Sequence, residues 1–380
     1  MRCPRCLNTD PTYFYKGSKG YYCRRCIGFK RVLIEEILAP KEYPIQSNSG
    51  EYSLDYELTV KQKEISHECL KLSMDSDVLL YCVTGAGKTE LVIESISWYL
   101  KNQKRVAYAI SRREVVLELY ERFKKIFKTS KVIRVCEGYT DEVYGDLIVC
   151  TTHQLYRYPK TFDLLILDEV DAFPFKGNEI LENIALNSVK GHIIYSTATL
   201  DDNTRRLMNK RHLEVLSLYR RPHNHDLVIP KVRYMPFFMI IIYIYFYLKK
   251  HDGQYIIFVE TKKLCRLLYE LYKRLLSITL VYSDHPLREN NIHDFKDNKY
   301  QYMIATSVLE RGITIAGVNI IIVDNHSGVF DKASYVQMCG RVGRSFKYPT
   351  GDSLVVINHY SKVLKEAISE MEEANAMSLL

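Results

Sequence analysis

The sequence lacks an apolar run long enough to cross a membrane. Its longest, PFFMIIIYIYFYL at residues 236–248, has 13 residues, whereas a membrane-spanning helix needs about 20. We therefore predict a buried core helix there. The first ten residues, MRCPRCLNTD, also lack the apolar core of a secretory signal. Export is not expected, and the predicted location is the cytoplasm.

Low-complexity tracts and short-period repeats are lacking as well. With 47% apolar and 26% charged residues, the composition is that of an ordinary globular protein and not of a disordered one. The length of 380 residues suffices for two domains with full cores and a small appendage. The formal net charge of +8 favours a polyanionic partner.

A disulfide framework is not expected, because the ten cysteines occur without a secretory signal. Four of them, Cys3, Cys6, Cys23 and Cys26, form two CxxC pairs separated by sixteen residues. This spacing fits a tetrahedral Zn²⁺ held by four thiolates, and a redox pair is the alternative. The other six lie in apolar segments and are interpreted as core residues (Cys69, Cys82, Cys136, Cys150, Cys265, Cys339).

The cysteine segment is strongly basic. Through Arg31 it carries eight lysines and arginines against one acid, Asp10, and four thiolates with one zinc would leave about +5. Five aromatic residues are interleaved with this charge: Tyr13, Phe14, Tyr15, Tyr21 and Tyr22. Basic groups beside aromatic rings suit an unpaired nucleic-acid strand, since charge binds the backbone and rings stack on bases. The alternative is that the aromatic rings pack the small zinc core.

The remainder alternates short apolar runs with amphipathic stretches. Six strand-like runs lie between residues 78 and 196 and five between 255 and 357, with a break near 220–225. Such continuous apolar strands between helices are typical of parallel sheets covered on both faces. We predict an α/β protein with two tandem parallel-sheet domains, at 58–218 and 219–380. A zinc module at 1–32 and a linker at 33–57 precede them.

A phosphate site is predicted where the first strand meets a helix, in VTGAGKTELV at residues 83–92. Gly85 and Gly87 allow the backbone to turn its N–H groups toward phosphate oxygens. Lys88 would reach the β- and γ-phosphates, and the Thr89 hydroxyl would bind magnesium. Cys82 stands where the strict pattern has glycine. The alternative is a simple strand-to-helix turn.

An acidic cluster ends another buried run, in LLILDEVDAFPF at residues 164–175. Because clustered carboxylates repel one another, a bound divalent cation is the simplest reason to place Asp168, Glu169 and Asp171 together. Asp168 would hold magnesium, and Glu169 would orient and deprotonate the attacking water. An acidic surface turn is the alternative. Together the two motifs predict an ATP hydrolase.

Further short motifs follow in order: LTVKQ (58–62), SRREVVLEL (111–119), TTHQL (151–155), STAT (196–199), FVET (258–261), ATSVLERGITI (305–315) and QMCGRVGR (337–344). From about residue 57 to 360 this series resembles superfamily-two helicases. The resemblance implies two RecA-like domains with ATP bound in the cleft between them.

The resemblance also implies roles for individual residues. Gln62 would read adenine, and the nucleotide would further contact Thr84, Gly85, Ala86, Gly87, Lys88, Thr89, Gly312 and Thr314. Arg341 and Arg344 would act on the γ-phosphate, the alternative being structural salt bridges. Ser196, Thr197 and Thr199 would couple hydrolysis to domain closure. The nucleic acid would contact Arg113, Thr151, Thr152, Thr261 and Thr306.

DEVDAFPF together with the four-cysteine module resembles more narrowly the ComFA family, late-competence ATPases of transformable Gram-positive bacteria. The resemblance implies a single-stranded-DNA translocase that uses ATP, Mg²⁺ and Zn²⁺ during DNA uptake. It also implies partners: the uptake channel, the phosphoribosyltransferase-like ComFC, and a peripheral position at the inner membrane face through them. Self-association is left open. The alternatives are a duplex DNA or RNA helicase for replication restart or RNA metabolism, and a zinc-dependent adaptor that uses ATP as a switch.

Overall fold

The computed structural model describes residues 1–47, 49–309, 315–325 and 328–378. The chain divides into two compact units. The first comprises Met1–Tyr81 and Lys88–Ser217, and the second comprises Cys82–Gly87 and Leu218–Leu380. The predicted α/β class with two parallel-sheet domains and an N-terminal four-cysteine module is confirmed.

The first part of the chain builds a small hairpin and then a seven-stranded sheet. In chain order the elements are β1 (Phe14–Gly17), β2 (Gly20–Cys23), α1 (Val60–Ser73), β3 (Val78–Cys82), α2 (Lys88–Leu91), α3 (Ile93–Lys101), β4 (Val106–Ile110), α4 (Arg113–Ile126), β5 (Val132–Val135), β6 (Leu147–Thr151), β7 (Phe162–Asp168), α5 (Glu179–Ser188), β8 (Val189–Thr197), α6 (Asp202–Arg211) and β9 (Glu214–Leu218). A 3-10 helix, Thr152–Arg157, follows β6 directly.

The order of this sheet is β5-β6-β4-β7-β8-β3-β9, and the strands from β5 to β3 pair in parallel. β3, β4 and β6 are buried along their whole length, as expected for strands covered on both faces. Parallel strands bring their carboxyl ends to one edge of the sheet. The phosphate loop, Asp168 and the TTHQL segment all follow strands at that edge.

The second unit contains a six-stranded parallel sheet. Its elements are β10 (Lys231–Tyr234), α7 (Phe237–Lys250), β11 (Tyr255–Val259), α8 (Lys262–Tyr272), β12 (Ile278–Val281), α9 (Arg288–Lys296), β13 (Tyr302–Ala305), β14 (Asn319–Asp324), α10 (Lys332–Cys339), β15 (Ser353–Ile357) and α11 (Lys362–Met377). The order is β10-β15-β14-β11-β13-β12, with every neighbouring pair parallel. Helices α7 and α8 cover one face and share its apolar core.

The segment before α1 follows the surface of the first unit. Tyr43 is buried in the core cluster of that unit, and its carbonyl accepts a hydrogen bond of 3.0 Å from the Arg105 guanidinium. The backbone N–H of Gln46 donates to the Asp146 carboxylate at 3.0 Å. These contacts fix the path of the predicted linker along the domain. The six cysteines interpreted as core residues are all buried.

The buried core helix predicted at 236–248 is present as a helix but is buried on one face only. In α7 only one face, Ile240, Ile244 and Leu248, is buried in the core. Phe238, Ile242 and Phe246 repeat at the same four-residue interval on another face and are exposed. A helix that lies on a sheet offers one stripe to the core even when it is apolar all round. No helix in the described ranges is long and apolar enough to span a membrane.

The two faces of α7 should respond differently to truncation. Ile244 is 0% exposed and Ile242 is 56% exposed. Ile244→Ala should lower the free energy of unfolding by about 2–5 kcal/mol, because it leaves a cavity. Ile242→Ala should change it by no more than about 0.5 kcal/mol. Denaturant titration of both variants checks this, and equal losses would show that the two faces are buried alike.

Candidate nucleotide site and zinc centre

The phosphate loop has the backbone conformation that its glycines allow. Gly85 and Gly87 have φ of +82° and +90°, values that residues with a Cβ rarely adopt. The loop connects β3 to the short helix α2, which begins at Lys88. Thr84 and Ala86 are buried, whereas Lys88 and Thr89 are half-buried. The curled backbone and the hydroxyl of Thr89 fit a nucleotide phosphate with its magnesium ion.

Asp168 ends β7 and is held through both of its carboxylate oxygens. The Tyr108 hydroxyl donates to Oδ2 at 2.7 Å, and the Glu169 backbone N–H donates to Oδ1 at 2.9 Å. The Thr89 side chain is hydrogen-bonded to the same Tyr108 hydroxyl. Burial, and next the charge of Asp168, raise the pKa of Tyr108 well above its ordinary value. The phenol therefore remains a donor. Sequence inspection missed Tyr108.

The acidic turn leaves the strand through a strained residue. Glu169 has φ of +54°, a left-handed conformation that non-glycine residues adopt rarely and that is frequent at functional sites. The next residue, Val170, donates its N–H to the Ser196 carbonyl at 3.2 Å. The chain thus turns at the end of β7 and runs back against the end of β8. Glu169 itself is half-buried.

The third acid of the turn is tied to the STAT segment. The Thr199 hydroxyl donates to Asp171 Oδ2 at 2.8 Å, and both residues are buried. The Thr197 hydroxyl donates to the Thr199 carbonyl at 2.9 Å. The structure therefore connects the acidic turn to the segment for which a coupling role is predicted. If either segment moved, these hydrogen bonds would transmit the movement to the other segment.

Gln62 stands at the start of α1 in a reciprocal cap. Its backbone N–H donates to Thr59 Oγ1, and the Thr59 N–H donates to Gln62 Oε1 at 3.0 Å. This capping box satisfies N–H groups that a helix start leaves without partners. Gln62 is buried. Gly312 and Thr314, predicted to contact the nucleotide, lie outside the described residues.

The GRVGR segment of the second unit follows α10. Its two predicted catalytic arginines, Arg341 and Arg344, lie close behind the end of that helix, and the Arg344 guanidinium donates to the Gly340 carbonyl at 2.8 Å. Arg221 is buried beneath the segment and donates to the carbonyls of Gly340, Val342 and Gly343 at 2.7–2.9 Å. Burial, and next the charge of Arg344, lower the pKa of Arg221 to about 9. Sequence inspection missed Arg221, since RRPHNH indicated only a domain break.

The predicted nucleic-acid contacts lie at the carboxyl edges of the two sheets. Arg113 begins α4 after β4. Thr151 ends the adjacent β6, and Thr152 begins the 3-10 helix that follows it. The Arg113 guanidinium donates to the Glu137 carbonyl at 3.0 Å. In the second sheet, Thr261 caps α8 after β11, and Thr306 follows the adjacent β13. Thr151, Thr152 and Thr306 are buried.

The four cysteines of the N-terminal module converge. Their sulfur atoms all lie within 4.8 Å of one another and the residues are buried. The Sγ–Sγ distances are 3.7 Å for Cys3 and Cys26 and 3.8 Å for Cys6 and Cys23. Tetrahedral zinc with Zn–S bonds of about 2.3 Å requires sulfur separations of about 3.8 Å. The cluster therefore fits a structural zinc ion, and no disulfide joins any of its members.

The zinc module packs on the first unit beside the 3-10 helix that carries Thr152. Phe29 stacks on His153 with ring centroids 5.9 Å apart and an angle of 23°. The Asn187 side chain donates to the Pro4 carbonyl at 2.9 Å, and Arg25 pairs with Glu179 at 2.5 Å. Burial lowers the pKa of His153, which favours the neutral ring. The module and the TTHQL segment thus form one surface.

The aromatic residues of the module divide into two groups. Phe14 is buried in the cysteine cluster, whereas Tyr15 is 45% exposed on the hairpin. The Arg24 guanidinium lies 4.2 Å from the centre of the Tyr15 ring, and that of Arg31 lies 4.6 Å from the centre of the Tyr22 ring. Tyr15 and Tyr22 are directly paired across the hairpin. Phe14 therefore packs the small core, and the binding of nucleic acid by the exposed rings stays a prediction.

Comparison with known proteins agrees with this geometry. Residues 59–207 match the DEAD/DEAH box helicase family, and residues 238–346 match the helicase conserved C-terminal domain. The structure of S. cerevisiae Dbp5 bound to RNA and ADP BeF3 has the same fold. Its TM-score is 0.62 at 18% identity, over 83% of this chain and 91% of that one. The chain is a nucleic-acid-dependent ATPase of helicase superfamily two.

Two curated relatives narrow this class. Competence protein ComFA of Streptococcus pneumoniae (strain ATCC BAA-255 / R6) is 33% identical over 98% of this chain and 90% of that protein. Competence protein ComFA of Bacillus subtilis (strain 168) is 28% identical over 99% of this chain and 86% of that protein. The chain belongs to the ComFA family of competence proteins.

The cysteine cluster predicts metal content directly. Purified protein should contain one zinc per chain, and Cys23→Ser should lose it because three thiolates bind the ion less tightly. Cys265→Ala, a buried cysteine of the second unit, should retain it. Elemental analysis of the three proteins checks the prediction. Absence of zinc from the unmodified protein, with reversible oxidation of the four thiols, would indicate a redox pair instead.

Proposed function

We propose that the protein is an ATP-driven single-stranded-DNA translocase that acts in DNA uptake during natural transformation. The observation that carries the proposal is that the basic, aromatic zinc module packs, through Phe29, beside the TTHQL segment of an ATPase unit. A motor that pulls a strand needs contacts on the strand that lie on the same rigid body as its nucleotide site. The first unit supplies such contacts together with Lys88, Thr89, Asp168 and Glu169 of the nucleotide site.

In this proposal the ATP site is formed by residues that the structure places at the carboxyl edge of the first sheet. Lys88 contacts the β- and γ-phosphates, and Thr89 and Asp168 hold the magnesium ion, which neutralises phosphate charge when bound. Glu169 orients the attacking water and accepts its proton. Gln62 is proposed to contact adenine. Gly312 and Thr314 are proposed to contact the nucleotide.

Arg341 and Arg344 are proposed to stabilise charge on the transferred phosphoryl group. Arginine suits this task because its planar fork of donors matches phosphate oxygens. In the structure the Arg344 guanidinium contacts the Gly340 carbonyl through Nε. Arg221 would support both residues by fixing the carbonyls of the loop that carries them.

DNA is proposed to pass over the carboxyl edge and onto the zinc hairpin. Arg113, Thr151 and Thr152 would contact the backbone of the strand, and Thr261 and Thr306 would do so on the second sheet. On the hairpin, Tyr15 and Tyr22 with their stacked arginines offer flat faces and positive charge. Base stacking on such rings tolerates any sequence, which suits a protein that must bind whatever DNA enters.

Partners and location are part of the same proposal. The strand would be delivered by the DNA uptake channel at the inner face of the cell membrane. The protein would be held there by partners, among them a phosphoribosyltransferase-like ComFC, and self-association is left open. A duplex or RNA helicase and an ATP-switched adaptor are the other functions that the motifs allow.

The substrate is tested by measuring ATP turnover with no nucleic acid, single-stranded DNA, duplex DNA or RNA. We expect strong stimulation by single-stranded DNA alone. Glu169→Gln should bind ATP but lower the stimulated rate by about 10²–10⁴-fold, because the water loses its base. Equal or greater stimulation by RNA or duplex DNA would favour a helicase, and a rate that no nucleic acid changes would favour the adaptor.

The hairpin contact is tested by DNA affinity across a salt series. Arg24→Ala should reduce the log–log salt slope by about 0.7, the value for one phosphate contact on a single strand. Tyr15→Ala should weaken binding by about 1–3 kcal/mol at every salt concentration, through lost stacking. Arg274→Ala, an exposed arginine of the second unit, is the matched control. Unchanged slope and affinity in both hairpin variants would assign the module to partner docking.

A further inference from the structure

A tyrosine hydroxyl lies between the two side chains assigned to magnesium. Tyr108 is the fourth residue of RVAYAI, otherwise a short apolar run behind Arg105, and its side chain is 1% exposed. The hydroxyl donates to Asp168 Oδ2 and is hydrogen-bonded to Thr89. One hydroxyl is therefore in contact with both side chains.

The order of the strands in the sheet determines where this hydroxyl lies. β4 and β7 are neighbours, with Tyr108 opposite Ile166 in the register, two residues before Asp168. The Tyr108 ring packs against Phe123 of α4 with centroids 5.2 Å apart. Strand, register and ring contact together leave the hydroxyl little freedom to move. Its partners are therefore held by a rigid part of the core.

The carboxylate of Asp168 is oriented by this contact. With Oδ1 bound to the Glu169 N–H and Oδ2 bound to Tyr108, rotation of the carboxylate would break a hydrogen bond in a buried site. A carboxylate has about four lone-pair positions. Two remain for the metal or its bound water. Thr89 likewise keeps a lone pair on its hydroxyl oxygen.

We propose that Tyr108 is a positioning residue for the magnesium ligands of the nucleotide site. Its hydroxyl sets the orientation of the Asp168 carboxylate and the Thr89 hydroxyl before nucleotide binds. Outer-shell groups of this kind typically change metal affinity by about 10–100-fold when removed. The inference rests on the proposed assignment of Thr89 and Asp168 to magnesium.

Tyr108→Phe tests the inference because it removes one hydroxyl and keeps the ring that packs on Phe123. The matched control is Tyr158→Phe. Tyr158 is buried in the same unit, and its hydroxyl donates to the Val143 carbonyl at 2.8 Å, in the core and not at the nucleotide site. Each change removes one hydroxyl from a buried tyrosine. The loss of stability should be about 1 kcal/mol for Tyr158→Phe, whose bond is neutral, and about 1.5–3 kcal/mol for Tyr108→Phe, which loses a bond to a carboxylate.

The measurement is the affinity for a fluorescent, non-hydrolysable ATP analogue, with saturating magnesium and with the metal chelated. The ratio of the two dissociation constants reports how much magnesium contributes to binding. We expect Tyr108→Phe to reduce this ratio about tenfold, while Tyr158→Phe leaves it unchanged. All three proteins should bind the analogue alike without the metal. Thermal unfolding of both variants checks that they are folded.

A ratio for Tyr108→Phe within twofold of the unmodified protein would overturn the inference and leave Tyr108 as a packing residue. Weaker binding without metal would overturn it too, because the phosphate loop itself would then be disturbed. A ratio near one in the unmodified protein would instead remove the assignment of Thr89 and Asp168, on which the proposed function depends.

Discussion

The hydrogen bonds on the carboxylates of the acidic turn are the interactions on which the rest of the site depends. Two carboxylates, Asp168 and Asp171, are buried at the end of a parallel sheet, where each uncompensated charge would be costly. The Tyr108 hydroxyl and a backbone N–H hold the first, and the Thr199 hydroxyl holds the second. Because these donors come from β4, β7 and the segment after β8, the turn cannot move without the strands beside it.

A second constraint acts at the N-terminus. The zinc module is too small to fold around an apolar core of its own, and its cysteines form most of its buried cluster. A bound zinc ion would therefore fix the module, and Phe29 and Arg25 fix the module to the first unit. The exposed tyrosines thereby keep a set position on a module that packs beside the TTHQL segment. Removal of zinc should lower the affinity for nucleic acid more than the affinity for nucleotide.

The sequence predicted the fold class and the four-cysteine cluster, because alternating strands and helices and CxxC spacing are local patterns. It did not predict Tyr108 or Arg221, whose partners are distant in the chain and adjacent only in the folded protein. β9 and β10 were missed because edge strands carry polar residues. The burial of α7 was overestimated because a run that is apolar at every position gives no period from which to assign a face.

We propose that ATP hydrolysis moves the protein along single-stranded DNA. Displacement of streptavidin from the end of a biotinylated single-stranded DNA tests it most directly. We expect rapid displacement with ATP. We expect none with a non-hydrolysable analogue, and none by the Glu169→Gln variant with ATP. Streptavidin is tested at each end of the strand in turn. If DNA stimulates hydrolysis and the streptavidin nevertheless stays bound at both ends, the protein is a DNA-responsive switch and not a motor.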